Sequence, residues 1–299
     1  MSSKSSILDV LRAVAVLTVY FAHLLGTFHF DKICGVGLTS ISQTGVLIFF
    51  VHTSLVLMLS MERMELPLRS LAPAFYIRRL FRIYPLSVLT VLFVVALRIP
   101  PMPTRPYQWF GWAGFLSNVA LAQNLTLSPS ILGPLWSLPL EVQMYLFLPV
   151  LYFLLKKTRG ISTALFLWAL AVALAPLQEH FAARLSLLQY APCFLPGIIA
   201  FVLLRYPTLN LPTWGWPLAI LTAYGIRLFG FRAGWLACLL LGIAAPQFRD
   251  FSWRPLCVAA EKIARYSYGI YLSHVIVFWF SFVFCILIGS VFDYSPALC

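Results

Sequence analysis

Residues 8–25 read LDVLRAVAVLTVYFAHLL. The run is apolar and long enough to cross a bilayer, yet it holds Arg12 and His23. Their spacing is about three helical turns, so both project from one face, roughly 16 Å apart along the axis. Ionisable groups inside a membrane span are costly, and they mark a pathway or a reaction site. The other hydrophobic segments are expected to fold around this face.

The whole chain supports a membrane setting. Of its 299 residues, 61% are hydrophobic and only 10% are charged, with a mean hydropathy of +0.90. These values exclude a soluble domain and give an all-α class: a polytopic integral membrane helical bundle. The net charge is +12, and the basic residues sit in short loops between apolar segments. That placement points to topology and membrane lipid headgroups, with a phosphorylated ligand as the sharper reading, and not to nucleic acid. The first apolar run is too long and too charged for a cleaved signal, so it reads as an uncleaved span. The six cysteines (Cys34, Cys193, Cys238, Cys257, Cys285 and Cys299) are scattered without a CxxC or Cys/His cluster, and no metal site is expected.

Ten apolar stretches can be counted, at about 8–27, 42–61, 83–99, 110–126, 136–155, 161–177, 186–204, 214–229, 233–247 and 267–290. No internal repeat or linker interrupts them, which predicts a single domain over 1–299. The longest hydrophilic loop is 62–82. Lys4 and the arginines of that loop must share a side, because two spans separate them, and that side is expected to be cytoplasmic. The protein is thus expected in the cell (inner or plasma) membrane with its N-terminus inside. Ten crossings would leave the basic residues poorly biased. If 110–126 is re-entrant, nine crossings place fourteen basic residues inside and six outside, leaving Arg12 aside. Both topologies stay open, with about ten transmembrane segments as the expectation.

Four stretches carry chemistry. Arg12 either snorkels to headgroups beside Asp9 or faces the interior with His23. A neutral imidazole deep in the span suits a general base near pH 7; a histidine merely satisfied by Tyr20 is the bland alternative. In FYIRRLFRIYP (75–85), Arg78 and Arg82 are i,i+4, with Arg79 beside them. Guanidinium forks bind phosphate oxygens in pairs, so the cluster reads as a site for a multiply phosphorylated ligand or for anionic lipid. Pro85 is expected in the first turn of the following span. In GPLWSLPLEVQMYLFLP (133–149), Glu141 enters an apolar helix with Tyr145 at i+4, a spacing that allows a hydrogen bond between them. A carboxylate there must be protonated, paired or wet. Pairing with Arg12 or His23 would make it the orienter of the base; an interhelical bridge is the structural alternative. In RYSYGIYLSHVIVFWF (265–280), Ser267, Tyr271 and His274 share a face, as a packing seam or as substrate contacts. His52 has no context that decides its role.

With those stretches in place, the chain resembles the acyltransferase 3 family of integral membrane acyltransferases over about residues 7–290. Arg12 and His23 fit an R-x10-H signature, RRLFRIYP an RRxxRIxP pattern, LWSLPLEVQMYL a WSLxxE…YL segment, and YSYGIYLSH the closing motif. Where the family reads something like GVDLFFVLSGF, this chain has GVLIFFVHTSL (45–55), with Leu47 in place of the acidic residue. The chain is also expected to lack the appended hydrolase-like domain of longer members. The resemblance implies an acyl-CoA donor, chiefly acetyl-CoA, on the cytoplasmic side. It also implies a hydroxyl acceptor on a cell-envelope glycan, glycolipid or related metabolite. On that basis Arg78, Arg79 and Arg82 grip the coenzyme phosphates, His23 is the base, and Glu141 and Arg12 support it. Tyr145, Tyr271 and His274 are expected to contact substrate.

A transporter or flippase for an anionic lipid or sugar would also use intramembrane charges, but no inverted repeat is visible. A non-catalytic membrane scaffold is the third class.

Overall fold

The computed structural model describes residues 5–33, 35–101, 106–158, 160–181, 184–230 and 232–284. Among these, eleven α-helices carry the architecture. In lipid the backbone polar groups must be satisfied within the segment, so long apolar runs become helices. They are α1 (Ser6–Thr27), α2 (Leu38–Glu62), α3 (Leu68–Ala96), α4 (Gly111–Val119), α5 (Gln123–Thr126) and α6 (Leu138–Thr158). After them come α7 (Ile161–Leu174), α8 (Ser186–Leu203), α9 (Gly215–Arg227), α10 (Ala233–Ala244) and α11 (Arg254–Phe278). A two-residue hairpin, β1 (Lys32–Ile33) with β2 (Val36–Gly37), joins α1 to α2. Among the described residues, six helical segments are long and apolar enough to cross a membrane: α1, α2, α3, α6, α7 and α8, with α6 and α7 extended by adjoining 3-10 turns.

α1 lies between α2 and α11, and α2 packs in turn on α8. The close fit depends on missing side chains. A Cβ on Gly45 would lie 2.7 Å from the Ala15 carbonyl oxygen, and one on Gly197 would lie 2.1 Å from both Ser54 Oγ and the Val51 carbonyl oxygen. Small residues let helix backbones approach in this way where lipid supplies no hydrophobic drive. The outer faces stay greasy: Phe81 is 70% and Phe166 65% exposed.

Contacts at the helix ends sort the molecule into two ends. At the basic end Ser5 Oγ donates to Asp250 Oδ1 at 2.5 Å, Tyr152 Oη to Glu62 Oε2 at 2.5 Å, and Arg205 Nη1 to the Leu155 carbonyl oxygen at 3.2 Å. At the far end Asn124 Nδ2 donates to Ser186 Oγ at 3.0 Å, and Arg227 Nη2 to Gln43 Oε1 at 3.1 Å. α1 and α11 therefore run parallel, both starting at the basic end.

Three boundaries differ from the sequence expectation. The segment expected as a hydrophilic loop is helical from Leu68 onward, because arginines are good helix formers and their stems lie along the apolar surface. Pro85 is accordingly interior to α3, not in a first turn. α11 begins at Arg254, well before the last apolar stretch. Residues 285–290 of that stretch, and Lys4, Arg105 and Arg159 of the charge tally, lie outside the described residues.

The stretch 110–126 forms no long helix. α4 has 9 residues, about 14 Å at 1.5 Å per residue, half of what a bilayer requires. Its polar side chains tie down the irregular chain that follows. Asn118, fully buried, donates to the Gly114 and Pro129 carbonyl oxygens, both at 2.9 Å, and accepts from the Ile131 N–H at 3.0 Å. Gln123 donates to the Leu135 carbonyl oxygen at 3.0 Å. Irregular backbone among apolar helices is tolerated when buried protein groups satisfy it in this way.

Candidate active site

One face of α1 lines three successive spaces. Near the basic end, Arg12 borders two cavities of about 210 and 450 Å³. One turn on, Ala15, Val16 and Val19 line a neck of about 20 Å³, room for about one water molecule. At the far end, Ala22, His23 and Gly26 line a cavity of about 430 Å³. The i, i+3/i+4 spacing of these residues makes the succession a property of one helical stripe.

Arg12 and His23 are both held by α11. Arg12 Nε donates to Ser267 Oγ at 2.6 Å, and Ser267 donates to the Ala264 carbonyl oxygen at 2.8 Å. The guanidinium lies 5.3 Å from the Phe49 ring centroid. His23 Nδ1 lies 2.7 Å from His274 Nε2, with the ring planes 6° from parallel. His274 Nδ1 is 3.1 Å from the Ile270 carbonyl oxygen. A carbonyl only accepts, so the network assigns the hydrogen of a neutral His274 to Nδ1. Its Nε2 then accepts from His23 Nδ1–H, which leaves the lone pair of His23 on Nε2. A second imidazole thus fixes a tautomer, as a carboxylate does in many histidine-based sites.

Glu141 does not take that place. It is 7% exposed and receives a short hydrogen bond from Tyr145 Oη, and it borders the 210 Å³ cavity together with Arg12, Arg79 and Arg82. The pairings expected for it with Arg12 or His23, and the Asp9 pairing expected for Arg12, are absent among the described residues. There the sole ion pair within 4 Å is Arg265–Glu261 at 2.9 Å. Carboxyl and guanidinium groups border one cavity without forming an ion pair. Tyr145, with its hydroxyl hydrogen on Glu141, stands at the basic cavity and not beside His23.

The arginine cluster divides. Leu71, Phe75, Arg79 and Ile83 recur every four residues as the inward stripe of α3, and Arg82 flanks it. Arg79 and Arg82 line the 210 Å³ cavity; Arg78 is exposed and borders none of these spaces. Tyr271 lines the neck. Its hydroxyl donates to the Pro134 carbonyl oxygen at 2.9 Å and sits 2.8 Å from Ser137 Oγ, so its hydrogen is already committed to a backbone acceptor. Two residues that sequence reasoning left without a site role, His52 and Arg63, line the same cavity. Arg63 figured only as a topology charge, and His52 has no signal in its local sequence.

The arrangement offers guanidiniums at one end, a tautomer-fixed imidazole nitrogen at the other, and a small apolar space between them. It suits a ligand with an anionic tail and a slender apolar arm.

Comparison with known proteins gives the family. A family model described as "Acyltransferase domain" matches residues 6–296. Acyltransferase MdmB of Streptomyces mycarofaciens is 25% identical over 303 residues, covering 89% of this chain and 77% of its own length. Regulator of hypoxia-inducible factor 1 of Caenorhabditis elegans is 28% identical over 180 residues, 52% of this chain and 36% of that protein. No solved structure matches the chain.

Proposed function

Because the chain belongs to the acyltransferase 3 family, we propose that it is a multi-pass membrane O-acyltransferase that uses His23 as its general base. The donor in this reading is a cytoplasmic acyl-CoA, with acetyl as the group moved. The acceptor is a hydroxyl on a cell-envelope glycan, glycolipid or related metabolite, which enters the far cavity. Residues 1–299 act as one domain in the cell membrane, with the basic end in the cytoplasm.

One observation carries the reading: His23 and the arginine-lined cavity lie on the same stripe of α1, at opposite ends of an apolar neck. The coenzyme's phosphates would sit among Arg12, Arg79 and Arg82, and its pantetheine arm would follow Val16 and Val19 inward. A neck of about 20 Å³ is too tight for that arm, so its wall side chains must move as the donor enters. His23 Nε2 then takes the proton from the acceptor hydroxyl as that oxygen attacks the thioester carbonyl. The tetrahedral intermediate collapses with cleavage of the C–S bond, and His23 returns the proton to the departing thiolate. His274 holds the tautomer throughout and accepts from Nδ1–H. Arg12 and Glu141 act at the donor end.

We further infer nine crossings, with 110–126 inserted part-way. The short α4, the parallel course of α1 and α11, and the improved bias of basic residues support this count.

Coenzyme A tests the donor assignment. It should raise the unfolding midpoint of the detergent-purified protein; a ligand at a hundred times its Kd stabilises by about 2.7 kcal/mol. No shift at saturating coenzyme A would contradict the donor assignment and favour transport.

A further inference from the structure

We propose that His52 is a hydrogen-bond donor to the diphosphate of the coenzyme, a proposal that rests on the donor reading above. His52 is 3% exposed and stands where the two basic-end cavities meet. It borders both of them, together with Arg12, Val56 and Arg82. Its Nδ1 is buried and has no hydrogen-bond partner among the described residues. The Phe49 ring lies beside it, at 6.1 Å between centroids, and satisfies neither nitrogen. A buried polar atom without a partner costs about 1–3 kcal/mol, and a histidine inside an apolar helix needs a reason to be there. Arg12 and Arg82 supply one, because an anion held between two guanidiniums would also lie beside the imidazole. Arg79 Nε, likewise buried and unpartnered in the smaller cavity, adds a further donor.

The position along α1 and α2 selects the diphosphate. The neck shares Phe49, Glu141 and Tyr268 with the smaller cavity. Moving outward from it, Arg12 and His52 come within one helical turn of the neck residues Ala15 and Phe49. Arg63, just past the end of the same helix, lies about three turns beyond His52. The diphosphate is the first charged group beyond a pantetheine arm, so it meets Arg12, His52 and Arg82, and the 3′-phosphate falls further out, toward Arg63 and Arg79. The acidic groups that face this region do not compete for the anion. Glu141 is bonded by Tyr145, and Asp9 and Glu261 line the larger cavity, where they suit the adenine and ribose donors. His52 stands where the family pattern quoted above has leucine, so this contact would be particular to this chain.

The test is calorimetric titration of the full-length protein in detergent with coenzyme A and with 3′-dephospho-coenzyme A. His52→Leu should weaken both ligands about tenfold or more, the contribution of a hydrogen bond to a charged group, at an unliganded melting midpoint that holds or rises. His52→Asn, whose amide N–H replaces Nδ1–H, should keep most of the affinity. Equal binding of coenzyme A by wild type and His52→Leu would overturn the proposal. A loss seen with coenzyme A but not with the dephospho form would move His52 to the 3′-phosphate and overturn the diphosphate assignment. Loss of phosphatidylglycerol binding in nanodiscs, with coenzyme binding intact, would give the site to a lipid headgroup. Failure of the wild-type protein to bind coenzyme A would instead refute the donor reading itself.

Discussion

Replacing His274 by phenylalanine removes the acceptor that fixes the tautomer of His23 and keeps an aromatic ring in its place. The ring matters for packing, because His274 lies 6.3 Å from Tyr20, 6.2 Å from Tyr271 and 5.7 Å from Phe278, centroid to centroid. What disappears is the 2.7 Å bond to His23 Nδ1. Leaving a partly buried donor unpaired costs about 1–3 kcal/mol, and each 1.4 kcal/mol is a factor of ten. The ceiling is the full contribution of a general base, about 10²–10⁴. His274→Phe should therefore lower kcat by roughly 10–100-fold, less than loss of His23 itself. KM for the acyl donor should hold, because the basic cavity is roughly 16 Å away along α1. His274→Gln places an amide oxygen near the lost Nε2 and should recover much of the rate. The assay is release of coenzyme A thiol from acetyl-CoA by purified protein, in the presence of an envelope extract that supplies the acceptor. Full activity in a His274→Phe protein with an unchanged melting midpoint would refute the tautomer argument.

Other consequences can be checked separately. Arg79→Ala should raise KM for the donor by about 10–100-fold, the loss of a charge-assisted contact, and Arg78→Ala should leave it near wild type; equal effects would show that the cluster acts only as diffuse charge. In a cysteine-free background, Leu209→Cys and Leu66→Cys should react with an impermeant maleimide from the same side of the membrane, as nine crossings require. Labelling from opposite sides would restore a tenth crossing. Gly197→Ala should destabilise the protein by about 1–3 kcal/mol through overpacking of α2 against α8, read as a lower melting midpoint, and an unmoved midpoint would show that the helices can separate at no cost.

The part of the site that lies within one helix was legible from spacing alone. Arg12 and His23 share a stripe because helical geometry dictates it. The same arithmetic on α3 puts Arg79, at four-residue steps from Phe75 and Leu71, on the inward side and Arg78 about a hundred degrees away. Partners across helices were not legible. Ser267 and His274 are more than 250 residues from Arg12 and His23, and nothing in either segment states how α11 is rotated against α1. Glu141 drew attention because a carboxylate in an apolar helix needs satisfaction, but the local Tyr145 supplied it more cheaply than a distant histidine. The stretch 110–126 has the hydropathy of a span; its asparagine and glutamine side chains hold irregular backbone where one long helix would otherwise run. Hydropathy also hid the first four turns of α3, since amphipathic arginine-rich helix and charged loop score alike.

The most direct test is the His23→Ala protein, purified and compared with wild type in two measurements. Coenzyme A binding should persist, because the donor end is untouched, and acyl transfer should fall by about 10² or more. Wild-type turnover in folded His23→Ala protein would contradict the assignment of His23 as the base.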